Sequence, residues 1–104
     1  MTRRDWLVRV VDALHAEIAA LKRGDIAGLE RATATKLDGI EGLARLGAGP
    51  SDPELRALAE EADRLNETCR IYVNLMAANT RRRLHDLTGI MPGYGARGAA
   101  AAYA

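Results

Sequence analysis

Apolar residues recur every three or four positions in three stretches of the chain, which is the spacing of one face of an α-helix. In the first stretch, residues 3–23, this face carries Leu7, Val11, Leu14, Ile18 and Leu21. In the second, residues 26–46, it carries Ile26, Leu29, Thr33, Leu37, Ile40 and Leu43 or Ala44. In the third, residues 53–88, it carries Leu55, Leu58, Ala62, Leu65, Cys69, Tyr72, Met76 and Asn79. These spacings predict three amphipathic helices with coiled-coil-like packing.

The break between the first two segments falls at Gly24 and Asp25, where the register of the apolar face also changes. Two arrangements explain this change: the chain turns back on itself, or one long helix bends at the glycine. Gly39 and Gly42 weaken the second helix, each by about 1 kcal/mol relative to alanine.

The third segment has clear boundary signals. The preceding helix stops at the glycine- and proline-containing residues 47–50. Asp52 is a suitable N-cap, Pro53 suits the first helical turn, and Ser51 with Glu54 fits a capping box. The pattern continues to Thr88 and ends at Gly89.

The composition supports an all-α fold. Hydrophobic residues make up 48% of the 104 residues, but the aromatic residues are only one Trp and three Tyr, and strand-forming runs are sparse. We expect an elongated antiparallel helical hairpin if the first two segments run end to end, or a three-helix bundle if they fold back. We also expect a single helical domain over residues 1–89 and a flexible Gly/Ala-rich tail over residues 90–104.

Net charge and cysteine content restrict the functional classes. The formal net charge is +1, which gives no overall reason to expect nucleic-acid binding. The single cysteine, Cys69, has no intramolecular disulfide partner. No signal peptide and no apolar run long enough for a membrane span are recognisable. We therefore expect a soluble, cytoplasmic protein that neither binds nucleic acid nor inserts into membranes.

No arrangement of residues indicates catalysis, metal binding or a cofactor. His15 and His85 lie in different segments and have no second ligand at a suitable spacing. Cys69 occupies an apolar position and is expected to be buried. The consecutive Arg81, Arg82 and Arg83 fan around a helix, which favours a solvated helix end over a nucleic-acid-binding stripe. The sequence predicts that the protein is not an enzyme.

One stretch of the third segment is apolar almost all the way around the helix. Seven of the eight residues from 71 to 78 are apolar, and a small bundle can cover only one stripe of them. A dimer mate, a client segment or simple closure of the bundle would cover the remainder.

Several elements, taken in order, resemble the FlgN-type flagellar export chaperones. The first is Leu21-Lys22-Arg23-Gly24-Asp25-Ile26-Ala27-Gly28-Leu29, followed by a lysine-containing helix from Lys36-Leu37 to Leu46. A long helix with Leu65-Asn66-Glu67 and Ile71 comes next, and then a glycine- and tyrosine-containing tail, Gly93-Tyr94-Gly95-Ala96-Arg97-Gly98. The resemblance spans nearly the whole chain.

The resemblance implies a cytoplasmic chaperone of type III flagellar secretion that needs no cofactor. Such a protein binds the C-terminal segments of hook-associated proteins at the hook–filament junction and delivers them to the flagellar export gate. Carried over to this chain, the client-binding residues are Ile71, Tyr72, Leu75, Met76, Leu84 and Leu87. Tyr94 best fits the residue that docks to the export gate, and Tyr103 fits it less well.

Two other functions remain open at this point. A self-associating helical scaffold would use the same apolar stretch to form a homodimer and would have no transient client. The register change at Gly24 and Asp25 argues mildly against one continuous self-complementary seam. A nucleic-acid accessory protein would need salt-dependent binding through Arg81, Arg82 and Arg83.

Overall fold

The computed structural model describes residues 1–89, and within them it contains three α-helices and no strand. The helices are α1 (Arg3–Arg23), α2 (Ile26–Leu46) and α3 (Pro53–Thr88), with the bounds that the apolar pattern predicts. The all-α fold class is thus confirmed. Contacts within the chain define two compact units, residues 1–72 and the residues from Val73 onward.

The chain reverses direction between α1 and α2 at Gly24 and Asp25. Gly24 adopts the left-handed conformation, with φ of +68°, that glycine tolerates best. Its N–H donates to the Leu21 carbonyl at 3.3 Å, and the Asp25 N–H donates to the Ala20 carbonyl at 2.9 Å, as in a Schellman motif. The Asp25 carboxylate then accepts the Gly28 N–H at 2.9 Å and caps α2. The folded-back arrangement is therefore the one that the chain adopts.

The predicted α2 face is only partly the inward one: its residues Leu29 and Leu43 pack against the core cluster, but others do not. The buried residues of α2 are Ala32, Gly39 and Gly42, whereas Ile26, Leu37 and Ile40 are exposed. The inward face is therefore shifted from the predicted one toward the side that carries the two glycines. This happens because glycine lets two helix backbones approach more closely than leucine or isoleucine does.

Close packing of α1 against α2 depends on the two α2 glycines. A methyl group on Gly39 would lie 2.7 Å from Val10 Cγ2, and one on Gly42 would overlap the Trp6 ring. These pairs, together with an ion pair of 3.1 Å between Arg9 and Asp38, place the two helices antiparallel. The glycines that the sequence presents as weak helix formers are the residues that allow this contact.

Within residues 1–72, the first part of α3 completes an up-down-up three-helix bundle. Arg4 pairs with Glu54 at one end, and the Lys22 ammonium lies 5.9 Å from the centre of the Tyr72 ring at the other, so α3 is parallel to α1. The core cluster consists of Val10, Leu14, Leu21 and Cys69, with Ile18, Leu29, Leu43, Ala62, Leu65 and Tyr72 packed against it. The predicted α1 and α3 faces supply most of these side chains.

The start of α3 is capped by Asp52, as predicted. Its carboxylate accepts the backbone N–H groups of Glu54 at 2.8 Å and Leu55 at 3.2 Å. The predicted capping box does not form, because the Ser51 hydroxyl instead accepts a hydrogen bond from the Arg56 guanidinium at 2.8 Å. A reciprocal capping box is found instead at α1, between Thr2 and Asp5.

Candidate partner-binding surface

The second unit begins at Val73. Its described part is the C-terminal part of α3, up to Thr88, followed by Gly89. No side chain between 73 and 89 is buried. Leu75, Leu84 and Leu87 are 62%, 54% and 84% exposed, and Val73 and Met76 are exposed as well. An amphipathic helix normally buries its apolar side chains against another element, so these exposed residues form a candidate surface for a partner.

Most of the exposed apolar side chains share one side of the helix. The positions with spacings of 4, 3, 4 and 3 are Val73, Ala77, Thr80, Leu84 and Leu87, and they are called the α3 stripe below. Met76 borders this stripe. Leu75 does not belong to it, because nine residues at about 100° each place Leu75 on the opposite side of the helix from Leu84. Of the predicted client-binding residues, the structure thus groups Met76, Leu84 and Leu87, and it separates Leu75 from them.

The remaining two predicted client-binding residues lie in the first unit. Ile71 is exposed, and its side chain is therefore accessible. Tyr72 is partly buried: its ring packs against the core cluster and under the Lys22 ammonium. Part of the Tyr72 surface is accordingly used inside the bundle.

The predicted docking residue Tyr94 lies outside the described residues, as does Tyr103. The predicted flexible tail over residues 90–104 lies outside them too.

The three consecutive arginines flank the α3 stripe instead of forming a patch of their own. Arg81 and Arg83 lie on the two borders of the stripe, and Arg82 points to the side away from it. Within residues 1–89, no carboxylate lies within 4.0 Å of any of the three guanidinium groups. By contrast, Arg70 pairs with Glu67 one turn away, and this pairing lowers the pKa of the Glu67 carboxyl.

The histidines and the cysteine of residues 1–89 lie apart from one another and form no metal centre. No three potential metal ligands among His, Cys, Asp and Glu cluster there. His15 lies 3.4 Å from Glu61 on an exposed surface. Cys69 is buried as predicted, and desolvation, followed by the nearby Glu17 carboxylate, raises the pKa of its thiol. The thiol is thus a poor nucleophile near neutral pH.

A groove of about 810 Å³ runs between α1 and α2. Its floor consists of small residues, including Ala13, Ala16 and Ala32. Three of the four arginines on its rim have carboxylate partners: Arg4 pairs with Glu54, Arg9 lies 3.1 Å from Asp38, and Arg23 lies 3.6 Å from Asp25. The groove thus offers shallow apolar contact, and most of the arginines around it are already paired.

A second exposed apolar surface lies on α2, and the apolar pattern of the sequence does not indicate it. Ile26, Leu37 and Ile40 are 69%, 56% and 46% exposed and fall on one side of that helix. The apolar pattern alone assigned them to the core. The signal that could have identified them is the nearby pair of glycines, which predicts a different inward face.

Within the described residues, no helix is long and apolar enough to cross a membrane. No protein-family model matches the chain, and neither does any curated protein or solved structure. The function is therefore inferred from the residues and from the exposed surfaces of the helices.

Proposed function

We propose that this protein is a flagellar type III secretion chaperone. It binds the C-terminal segments of hook-associated proteins in the cytoplasm and delivers them to the export gate. Client binding uses the exposed apolar residues of α3, and Tyr94 serves as the gate-docking residue. No catalytic step is involved.

The observation that carries this proposal is the exposure of the α3 stripe. Leu84 and Leu87 are exposed to solvent, and a helical partner segment would remove them from water. Binding of an amphipathic helix uses apolar side chains that recur every three or four residues along one side, and the stripe has this spacing with Thr80 as its one polar member. Met76 at its border adds an adaptable side chain that suits clients of different sequence.

The test is light scattering coupled to size exclusion. The chain is measured alone and after mixing with the C-terminal segment of a hook-associated protein encoded by the same genome. A monomer that gains the mass of one segment supports the proposal. A chain whose mass does not change after mixing contradicts it.

Paired variants locate the binding surface. Leu84→Glu and Leu87→Glu place a charge on the α3 stripe and should weaken client binding at least about tenfold, since each removes an apolar side chain that the bound client would cover. Asn79→Glu is the matched control, because it adds the same charge off the stripe. The circular dichroism of all three should remain helical, and equal loss of binding in the control would place the client elsewhere.

Self-association is the second candidate, and the exposed α2 residues favour it. Ile26, Leu37 and Ile40 would be covered if two copies met through α2. In that case light scattering of the chain alone would give the mass of a stable dimer, and adding the client segment would not change that mass. Leu37→Glu would convert it to a monomer.

A further inference from the structure

The α3 stripe defines a heptad register for residues 73–88. With Val73, Thr80 and Leu87 at d positions and Ala77 and Leu84 at a positions, Arg81 falls at an e position and Arg83 at a g position. Arg82 falls at f, the position farthest from the seam. In paired helices, the e and g residues contact the neighbouring helix beside its apolar seam and select the partner by charge.

The charge on this segment is unbalanced. Residues 73–88 contain three arginines and one acidic residue, Asp86, so their formal net charge is +2 with the histidine neutral. Asp86 occupies a c position, away from the seam. Neither flanking arginine has a carboxylate partner within the described part of the chain.

We propose that the occupant of the α3 stripe is an amphipathic helix with Asp or Glu at the positions that face Arg81 and Arg83. This inference shares one assumption with the proposed function, namely that the stripe binds a partner helix. It adds that this helix carries acidic side chains beside its apolar seam. The arginines do not pair within residues 1–89, so they are available for charge-assisted hydrogen bonds to the partner.

A second copy of the same segment does not fit this surface. The e and g positions of residues 73–88 are Asn74, Met76, Arg81, Arg83 and Thr88, and none is acidic. A parallel pair would place each flanking arginine beside Met76 or Thr88, and an antiparallel pair in register would place arginine beside arginine. Neither arrangement supplies a carboxylate.

The experiment compares three synthetic helical peptides that share one apolar a/d seam and carry Glu, Gln or Lys at every e and g position. Their affinities for the full chain are measured by fluorescence anisotropy at low and at high salt. The Glu peptide should bind about tenfold more tightly than the Lys peptide at low salt, with the Gln peptide between them. The difference should shrink at high salt because exposed ion pairs are screened.

Charge-reversal variants test the assignment of the two arginines. The double variant Arg81→Glu/Arg83→Glu should reverse the preference, so that the Lys peptide binds most tightly. Arg82→Glu is the matched control, since it changes the same charge at the f position and should leave the order unchanged. An equal effect of Arg82→Glu would show that only the total positive charge of the segment matters, not its position, and would overturn the proposal.

The outcomes separate this inference from the proposed function. If all three peptides bind equally, the acidic preference is wrong while helix binding stands. If none binds, the α3 stripe is not a helix-binding surface and both proposals fall. Binding to vesicles of anionic phospholipid, with no binding of the Glu peptide, would identify a membrane surface as the occupant and would also overturn the inference.

Discussion

Glu17 carries a charge into the core of the bundle formed by residues 1–72, where it is 4% exposed. Its carboxylate accepts hydrogen bonds from the Thr33 hydroxyl at 2.6 Å and the Lys36 ammonium at 3.2 Å, and the Cys69 thiol lies 3.9 Å away. This polar cluster joins α1, α2 and α3. Because shifting one helix would leave buried groups unpaired, the cluster favours a single register.

Replacement of Glu17 by alanine should lower the free energy of unfolding by about 2–4 kcal/mol, since it leaves the half-buried Lys36 without its counter-ion. Urea denaturation measures the change. Glu61→Ala is the control: it removes the exposed pair with His15 and should cost at most about 1 kcal/mol. Equal losses in the two variants would mean that the buried cluster adds nothing beyond a surface pair.

Cys69 should make the stability fall in alkaline solution. Its thiol has a pKa raised above the ordinary value of 9.0, so the folded protein holds this proton more tightly than the unfolded chain. The resulting stabilisation is complete below about pH 9 and is lost as the pH rises through the folded pKa. Denaturation followed from below to above about pH 9 should show a plateau and then this decline, and Cys69→Ala should flatten it. An unchanged slope in the variant would assign the decline to other groups.

At the residue scale, the sequence predicts the burial of Cys69 but not its polar neighbours. Cys69 continues an apolar spacing from Leu65 to Tyr72, which makes its position readable. Glu17 stands beside the predicted α1 face and looks like a solvated charge. Its burial depends on Lys36 and Thr33 arriving from another helix, which the spacing along α1 alone does not reveal.

The helix α2 shows how the bounds of a helix can be predicted correctly while its buried face is predicted only in part. Its bounds follow from Asp25, which is the N-cap, and Gly47, which is the C-cap, because both residue types are common at these positions. Its orientation is set by Gly39 and Gly42, whose missing side chains make room for Val10 and Trp6. Hydrophobic periodicity gives no weight to an absent side chain, so it selected the larger residues on the neighbouring face.

Gly42→Ala should destabilise the bundle by about 1–3 kcal/mol, even though alanine is the better helix former, because its methyl group would overlap the Trp6 ring. Thermal and urea unfolding measure the effect. In a Trp6→Val background, the same substitution should cost much less, because the ring is gone. If Gly42→Ala stabilises the wild-type chain, close approach of the helices is not what the glycine provides.

On the scale of the whole molecule, the two compact units differ in how their side chains are buried. Residues 1–72 contain every buried side chain of the described chain, whereas residues 73–89 contain none. The sequence left two arrangements open for residues 1–46, and it indicated an excess of apolar surface near residue 75. It did not locate the division at Tyr72 and Val73, because the helix itself continues through this point.

Hydrogen exchange should separate the two units. Amides from 76 to 88 should exchange through local opening at a small fraction of the global unfolding free energy, because no buried side chains hold that part of α3. Amides of α1 between Val10 and Leu21 should require near-global unfolding. Addition of a bound partner helix should slow exchange in the 76–88 segment selectively. Strong protection there in the partner-free monomer would contradict this prediction.

The two-residue reversal at Gly24 and Asp25 has a consequence for the order of folding. Contacts between α1 and α2 begin next to the turn and extend to Trp6 and Gly42, whereas those that join α3 to α1 span larger loops, such as 52 residues between Glu17 and Cys69. Short loops cost less entropy to close. We therefore expect the α1–α2 pair to form early in folding and to provide the template on which the start of α3 docks. Gly42→Ala should then slow folding, while substitutions at Cys69 should mainly speed unfolding.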